Sequence, residues 1–315
     1  MKIVFFGTPT IAANILDYLL VHGANIVAVV TKPDKPQGRN LKTTRSAVKE
    51  LVLTKYPHIP ILEPIKVSTL EYQKKLEEYH PDLFIVVAYG EIIKQNILDV
   101  PKCGAINVHA SLLPKYRGAA PIHRAIIEGE KETGVSIMEM VLALDAGAVI
   151  HVKKTSIHPE MNVGELEKAL EQIGAEALKE TLEDFENKFS HRQAQEDGKA
   201  TYASKILTED CRVSWAKNAQ NIHDLIRGVT PYPGAWCFIK LPGDSEPKRL
   251  KIKKSKLIPL VQSLEPGFIV SFGKEGWVVA SQDHAIELVE VQLEGKKSCL
   301  GSEFARGYPK PKMLI

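Results

Sequence analysis

Asp82–Gly90 reads DLFIVVAYG, the most continuous run of β-branched and aromatic residues in the chain. A run that is apolar on both faces suits a central strand of a parallel sheet, whose two sides are covered by crossover helices. Toward the N-terminus, Lys2–Phe6 is a second buried-strand run, closed by Gly7-Thr8-Pro9, and Ile11, Ile15, Leu16, Leu19 and Leu20 follow at helical spacing. Ile26–Thr31 reads as a strand, Ser46–Tyr56 as a helix, Ile59–Leu62 as a short strand and Thr69–Tyr79 as a charged amphipathic helix. Beyond the central run come a strand at Ala105–His109 (AINVH), a helix from Pro121 to the Gly129 stop, strands at Thr133–Met140 and Ala148–Ser156, and one long amphipathic helix over Val163–Phe189. This alternation predicts an α/β fold with a doubly wound, mostly parallel sheet, its ligand crevice at the carboxyl ends of the strands.

The grammar changes near residue 189. Phe189–Lys205 is polar and charged and reads as a linker, after which one helix, Ala219–Arg227, precedes short strands broken by Gly and Pro turns. These lie at Ala235–Lys240, Leu250–Lys256, Gly267–Phe272, Trp277–Ser281 and Ala285–Val291 and predict a smaller OB-like β-barrel. The expected organisation is therefore a domain at 1–188, a linker at 189–204 and a second domain at 205–315.

Charge follows the same division. The chain of 315 residues has a formal net charge of +3, but residues 205–315 hold 17 Lys+Arg against 12 Asp+Glu, leaving 24 against 26 before them. A basic rear domain bearing LKIKKSK suits a polyanion, nucleic acid first. The loop KPDKPQGRNLKTTR, Lys32–Arg45, is also basic, and its prolines and glycine predict an exposed loop rather than a regular element. Cysteines at 103, 211, 237 and 299 form no C-x-x-C pair, so neither a zinc site nor a disulfide framework is indicated and a reducing cytoplasm fits. No apolar run reaches the roughly 18 residues of a membrane span, and the N-terminal run is cut off by Gly7 and Pro9.

Several chemistries are excluded by their missing motifs. GTPTIA lacks the later glycines of a dinucleotide fingerprint, and there is no P-loop, H-E-x-x-H or G-x-S-x-G. What the chain offers instead is Asn107 and His109, two residues apart on one face of a strand where it runs into the loop SLLPKYRG. A third polar group, Asp145, stands alone in the apolar LALDAGAVI. Amide, imidazole and carboxylate together can hold an oxyanion and move a proton. Ser111 is an alternative acyl-accepting nucleophile.

Asn107-x-His109, Ser111-Leu112-Leu113-Pro114, Tyr116-Arg117-Gly118 and Leu144-Asp145-x-Gly147 together resemble the signature of the folate-dependent formyltransferases. FFGTP, TKPDKPQGR, VVAYG, RGAAPI and ETGVSIM extend the resemblance over essentially the whole chain. It implies a Rossmann-like catalytic domain that moves the formyl group of 10-formyltetrahydrofolate to the α-amino group of methionine carried on initiator tRNA, without a metal, in a monomeric cytoplasmic enzyme. Asn107, His109 and Asp145 match the family's catalytic residues, and Ser111, Leu112, Leu113 and Pro114 its folate-contacting loop. Arg39 matches a basic residue in an inserted loop that meets the tRNA acceptor end. Lys42 in that loop and Lys251, Lys253 and Lys254 in the rear domain are further candidates for tRNA contact. Two alternatives stay open: a formyltransferase acting on a small amine, and a non-catalytic RNA-binding protein.

Overall fold

The computed structural model of the chain describes residues 1–37, 42–260 and 264–315. In chain order its elements are β1 Ile3–Gly7, α1 Thr10–Val21, β2 Ile26–Val30, β3 Lys35–Gln37, β4 Lys42–Thr44, α2 Ala47–Lys55, β5 Ile61–Leu62, α3 Leu70–Glu77, β6 Leu83–Val87, α4 Gln95–Leu98, β7 Ala105–His109 and β8 Arg117–Gly118. There follow α5 Pro121–Ile127, β9 Glu132–Glu139, β10 Val149–Ser156, α6 Val163–Glu183, α7 Phe185–Ser190 and β11 Tyr202–Ala203. The remainder is α8 Ala219–Gly228, β12 Ala235–Ile239, β13 Lys248–Ile258, β14 Ile269–Gly273, β15 Gly276–Ala280, β16 Ala285–Leu293, β17 Cys299–Leu300 and α9 Gly301–Gly307. They form two compact units, one of Met1–Gly118, Glu132–Thr155 and Glu167–Tyr202, the other of Ala119–Lys131, Ser156–Leu166 and Ala203–Ile315.

The first unit is a sheet in the order β10-β9-β7-β6-β1-β2-β5. β1 pairs in parallel with β2 and β6, β2 with β5 and β6 with β7, while β9 joins β7 antiparallel. The chain winds away from β1 in opposite directions, so a crevice opens at the carboxyl ends of β1 and β6. Every residue of β1 and β6 is buried, as their unbroken apolar sequences require. Phe6 packs its ring on Phe84 and, edge-on, on Tyr89, with centroids 4.9 and 5.5 Å away. Two helices begin where a side-chain oxygen takes up a free N–H group: Ser46 Oγ accepts from Lys49 N–H at 3.0 Å and Thr69 Oγ1 from Tyr72 N–H at 3.4 Å.

Two local expectations change. Lys32–Arg45 is not irregular throughout, because Lys35–Gln37 and Lys42–Thr44 pair as an antiparallel ribbon. Pro36 is tolerated there, since a two-stranded ribbon leaves each strand an edge that needs no N–H. The long helix breaks at Asp184, which leaves helical geometry (φ −134°, ψ 45°), and a separate short helix follows at Phe185–Ser190, with Asn187 Nδ2 donating to the Asp184 carboxylate at 2.8 Å.

The second unit carries an antiparallel sheet in the order β12-β13-β16-β15-β14, with β17 on the far part of β16. Its core is built on Trp277, fully buried, stacked on Phe304 at 4.9 Å and edge-on to Phe272 at 5.2 Å. α9 can sit this close because a Cβ at Gly301 would fall 1.8 Å from Leu288 O. On α8 a buried ion pair, Arg227 Nε to Asp224 Oδ1 at 2.6 Å, leaves Arg227 Nη1 to donate to Met161 O at 2.9 Å. The C-terminal residues lie along the sheet's two outer strands: Leu314 bridges Ile239 and Met313 bridges Phe268.

Candidate active site

β7 carries Asn107 and His109 at alternate positions and stops at His109 because the chain turns. Ser111 makes that turn. It is fully buried, its Oγ donates to Lys115 O at 2.6 Å, and its carbonyl accepts from Ser136 Oγ at 2.7 Å. Ser136 Oγ in turn accepts from Leu113 N–H at 3.1 Å, so β9 holds the loop from beneath. Ser111 thus shapes the loop, with its hydroxyl turned inward onto Lys115 O. Leu112, Leu113 and Pro114 remain half-exposed and give the loop an apolar surface.

The chain then returns over His109. Tyr116 adopts a left-handed conformation (φ 61°), which turns its carbonyl to His109 Nε2 at 2.9 Å. A carbonyl only accepts, so Nε2 carries a proton. Nδ1 is left facing Asp145, whose Oδ2 is 3.7 Å away; both side chains are largely buried, 6% and 14% exposed. Neutral His109 turns an Nδ1 lone pair toward the carboxylate, and charged His109 turns an N–H toward it. The same Asp145 oxygen accepts the Gly118 N–H at 2.8 Å. Asp145 is also left-handed (φ 49°), a conformation Asp tolerates better than most residues. Gly147, two residues on, has no room for a side chain, since a Cβ there would lie 1.9 Å from Glu139 O.

Asn107 is half-buried, and among the described residues its amide has no hydrogen-bond partner. A strand-end amide left free beside a buried imidazole can donate to a ligand oxygen. The neighbouring crevice is tied together by Thr8 Oγ1, which donates to Tyr89 O at 3.0 Å, and by an ion pair from Lys32 to Glu91. Lys32 Nζ lies 5.0 Å from the centroid of the Tyr89 ring, whose phenol is pushed up by burial. These contacts join the loops that follow β1, β2 and β6.

Residues 1–182 match the family described as formyl transferase, and residues 205–309 match the formyl transferase C-terminal domain. A methionyl-tRNA formyltransferase of Protochlamydia amoebophila (strain UWE25) is 50% identical over 99% of this chain and 97% of its own. One from Chlamydia pneumoniae is 42% identical over 100% and 98%. The chain belongs to the methionyl-tRNA formyltransferase family. The fold is shared more widely: an N-formyltransferase from Helicobacter canadensis, solved with folinic acid and dTDP-3-aminofucose, superposes with a TM-score of 0.65 at 20% identity, covering 91% of this chain and 98% of that one.

Within this formyltransferase family member, the residues singled out from sequence fall in three places. Asn107, His109 and Asp145 come together with the 111–114 loop in the first unit. Arg39 lies outside the described residues, and Lys42 is described by its backbone alone, at the start of β4. Lys251, Lys253 and Lys254 lie on β13 of the second unit. There Lys251 Nζ donates to Pro233 O at 3.2 Å, Lys253 pairs with Glu290 at 2.9 Å, and Lys254 is exposed with no ion pair among the described residues.

The site also uses groups to which the sequence assigned no role: the Tyr116 carbonyl, the Gly118 N–H and Arg117, quoted above only as part of the signature, and Gln195. Arg117 is only 4% exposed, with Nε donating to Gln195 Oε1 at 3.0 Å and Nη2 to Asp197 Oδ1 at 2.8 Å. The segment expected to be a linker is thus hydrogen-bonded into the first unit, where Gln193 also bridges Val149 and Thr201 O accepts from Arg117 N–H at 2.9 Å. An arginine this buried requires partners, but its sequence neighbourhood does not say which they are.

Proposed function

We infer that Asn107, His109 and Asp145 form the centre at which the formyl group of 10-formyltetrahydrofolate passes to the α-amino group of methionyl initiator tRNA. The observation that carries this reading is the convergence of a free amide, a buried imidazole of fixed tautomer and a carboxylate at one strand end, in a chain of this family. The folate supplies a formyl carbon bonded to nitrogen. The loop of Ser111, Leu112, Leu113 and Pro114 would line its ring system, and Asn107 would meet the formyl oxygen.

As the amine adds, negative charge gathers on that oxygen and positive charge on the attacking nitrogen. Asn107 donates an N–H to the oxygen, with His109 beside it as the second polar group. One such donor aimed at a developing oxyanion is worth about 3–4 kcal/mol of barrier. The adduct then collapses by breaking the bond between the formyl carbon and the folate nitrogen, which takes up a proton and leaves as tetrahydrofolate, and the amine must lose a proton for the new C–N bond to persist. Asp145 and His109 Nδ1 are the groups on this chain placed to take it, directly or through a water.

We assign residues 1–188 to the catalytic domain, 189–204 to the connection and 205–315 to a basic domain that holds the tRNA. The bridges that the C-terminal residues make to β12 and to Phe268 support an OB-like barrel, since they lie between the first and last strands of the sheet. Lys251, Lys253 and Lys254 on β13, with Arg39 and Lys42 in the front loop, supply charge for the phosphate backbone. Charged tRNA is cytoplasmic, and so on this reading is the enzyme, acting as a monomer.

The test is direct. Incubated with 10-formyltetrahydrofolate, the protein should formylate charged initiator tRNA and leave glycinamide ribonucleotide and amino sugars untouched. Transfer to a small amine but not to tRNA would replace this reading with the small-amine alternative, and binding of tRNA without transfer would support the non-catalytic one.

A further inference from the structure

We propose that Gln195 is a positioning residue for the transfer reaction, the group that keeps the Asp145–Gly147 turn at its working distance from His109. Its side chain makes three hydrogen bonds to two separate segments. Nε2 donates to Asp145 O at 2.8 Å and to Gly147 O at 2.7 Å, while Oε1 accepts from Arg117 Nε at 3.0 Å. The orientation of the amide follows from the partners, because the two carbonyls can only accept and the guanidinium can only donate. Among side chains of this length, only an amide supplies two donors on one side and an acceptor on the other. Glutamate would set an oxygen against two carbonyl oxygens, and leucine would leave all three groups unpaired.

The two segments joined in this way are those that fix the candidate catalytic pair. Arg117 sits between Tyr116, whose carbonyl holds His109 Nε2, and Gly118, whose N–H holds Asp145 Oδ2. On the other side, Gln195 holds the backbone of Asp145 itself, where the left-handed φ of 49° makes an unsupported turn costly. Arg117 is steadied in turn by Asp197, whose own side chain is 84% exposed. Gln195 therefore touches neither reacting group but connects the supports of both. It lies 50 residues beyond Asp145 in sequence, in a polar segment that looks like a tether.

The inference rests on Asp145 and His109 acting as proposed above, and Asp145→Asn serves as the control that separates the two. In Gln195→Leu we expect kcat to fall about 10- to 100-fold with KM for both substrates within about twofold, since a displacement of about 1 Å can cost 10²-fold. We also expect the midpoint of its kcat–pH profile to move, because the spacing of the Asp145/His109 pair changes; a role in stability alone would lower the melting temperature and leave that profile in place. A folded Gln195→Leu whose kcat and pH profile match the parent's, alongside an inactive Asp145→Asn, overturns the role of Gln195 and leaves the catalytic assignment intact. Parent-like activity in Asp145→Asn overturns that assignment, and the inference with it. Should Gln195→Leu fail to fold, Asp197→Asn carries the test from the exposed end of the same chain of contacts. A several-fold loss of kcat at unchanged KM with a moved pH profile supports the proposal, and parent-like values in both overturn it.

Discussion

Asp145 Oδ2 accepts the Gly118 N–H at 2.8 Å and stands 3.7 Å from His109 Nδ1, so one carboxylate oxygen is held by backbone while it faces an imidazole. The oxygen is thereby aimed without being committed to the histidine, because this separation is beyond a direct hydrogen bond. Asparagine is the informative substitution: it tolerates the left-handed backbone and keeps an oxygen for Gly118 while removing the charge. Asp145→Asn is expected to lower kcat by about 10²–10⁴-fold, the usual worth of a positioned acid or base, with KM little changed. Steady-state formylation kinetics decide this, and a loss of only a few-fold would remove Asp145 from proton handling.

Asn107 offers a cleaner separation of catalysis from folding. Its amide is half-buried and unpartnered among the described residues, so truncation leaves no orphaned protein group behind. Asn107→Ala should melt within a few degrees of the parent and lose about 10²–10³ in kcat, as for removal of one oxyanion donor. Melting temperature and kcat measured on the same preparation test both halves of the statement. An equal fall in the two would mean that Asn107 is a structural residue.

Local pattern carried most of the fold. The strand runs at Lys2–Phe6 and Asp82–Gly90 needed only continuous apolar sequence, and the helices from Ser46 and Thr69 only a helical period. Asn107 and His109 were legible because period two puts them on one strand face. What could not be read was contact over distance: Gln195 meets Arg117 across 78 residues, and nothing local distinguishes its polar segment from a tether. The support of the Ser111 loop was equally hidden, since the Ser111 carbonyl is met by Ser136 arriving from β9. The break at Asp184 escaped because Leu182 and Phe185 keep their apolar spacing across it while the backbone of Asp184 leaves helical geometry.

Glu180 gives the first unit an acid-sensitive contact away from the site. Hydrogen bonds from Lys153 and then His151 pull its carboxyl down to about 2. A folded-state value below the unfolded one means that ionisation favours folding. This contribution is fully present above the ordinary carboxylate range and is lost as pH falls from about 4.5 to about 2. With the side chain 42% exposed, solvent screens the pair and its contribution is modest. Glu180→Gln should therefore be less stable than the parent in denaturant at pH 7, and the gap between them should close toward pH 2. A gap that stays constant with pH would show that the network does not couple to folding.

Lys253 and Lys254 are adjacent on β13 but differ in what they have free to offer a phosphate. The register of β13 against β16 shifts on either side of Lys254, and Ile252 and Ser255 are buried around the pair, so two consecutive lysines escape the usual in-and-out alternation. Lys253 commits its ammonium to Glu290 at 2.9 Å and Ser298 at 3.3 Å. Lys254 is exposed and has no ion pair among the described residues. Removing one ammonium–phosphate interaction should flatten the plot of log affinity against log salt by about 0.7–0.9. Lys254→Ala is therefore expected to reduce that slope for tRNA by close to one. Lys253→Ala should weaken binding at every salt concentration by freeing the Glu290 carboxylate, with a smaller change in slope. Titrations of tRNA from low to moderate salt distinguish the two. Equal slopes for parent and Lys254→Ala would mean that this ammonium meets only solvent, and the tRNA backbone would then have to be held elsewhere on the chain.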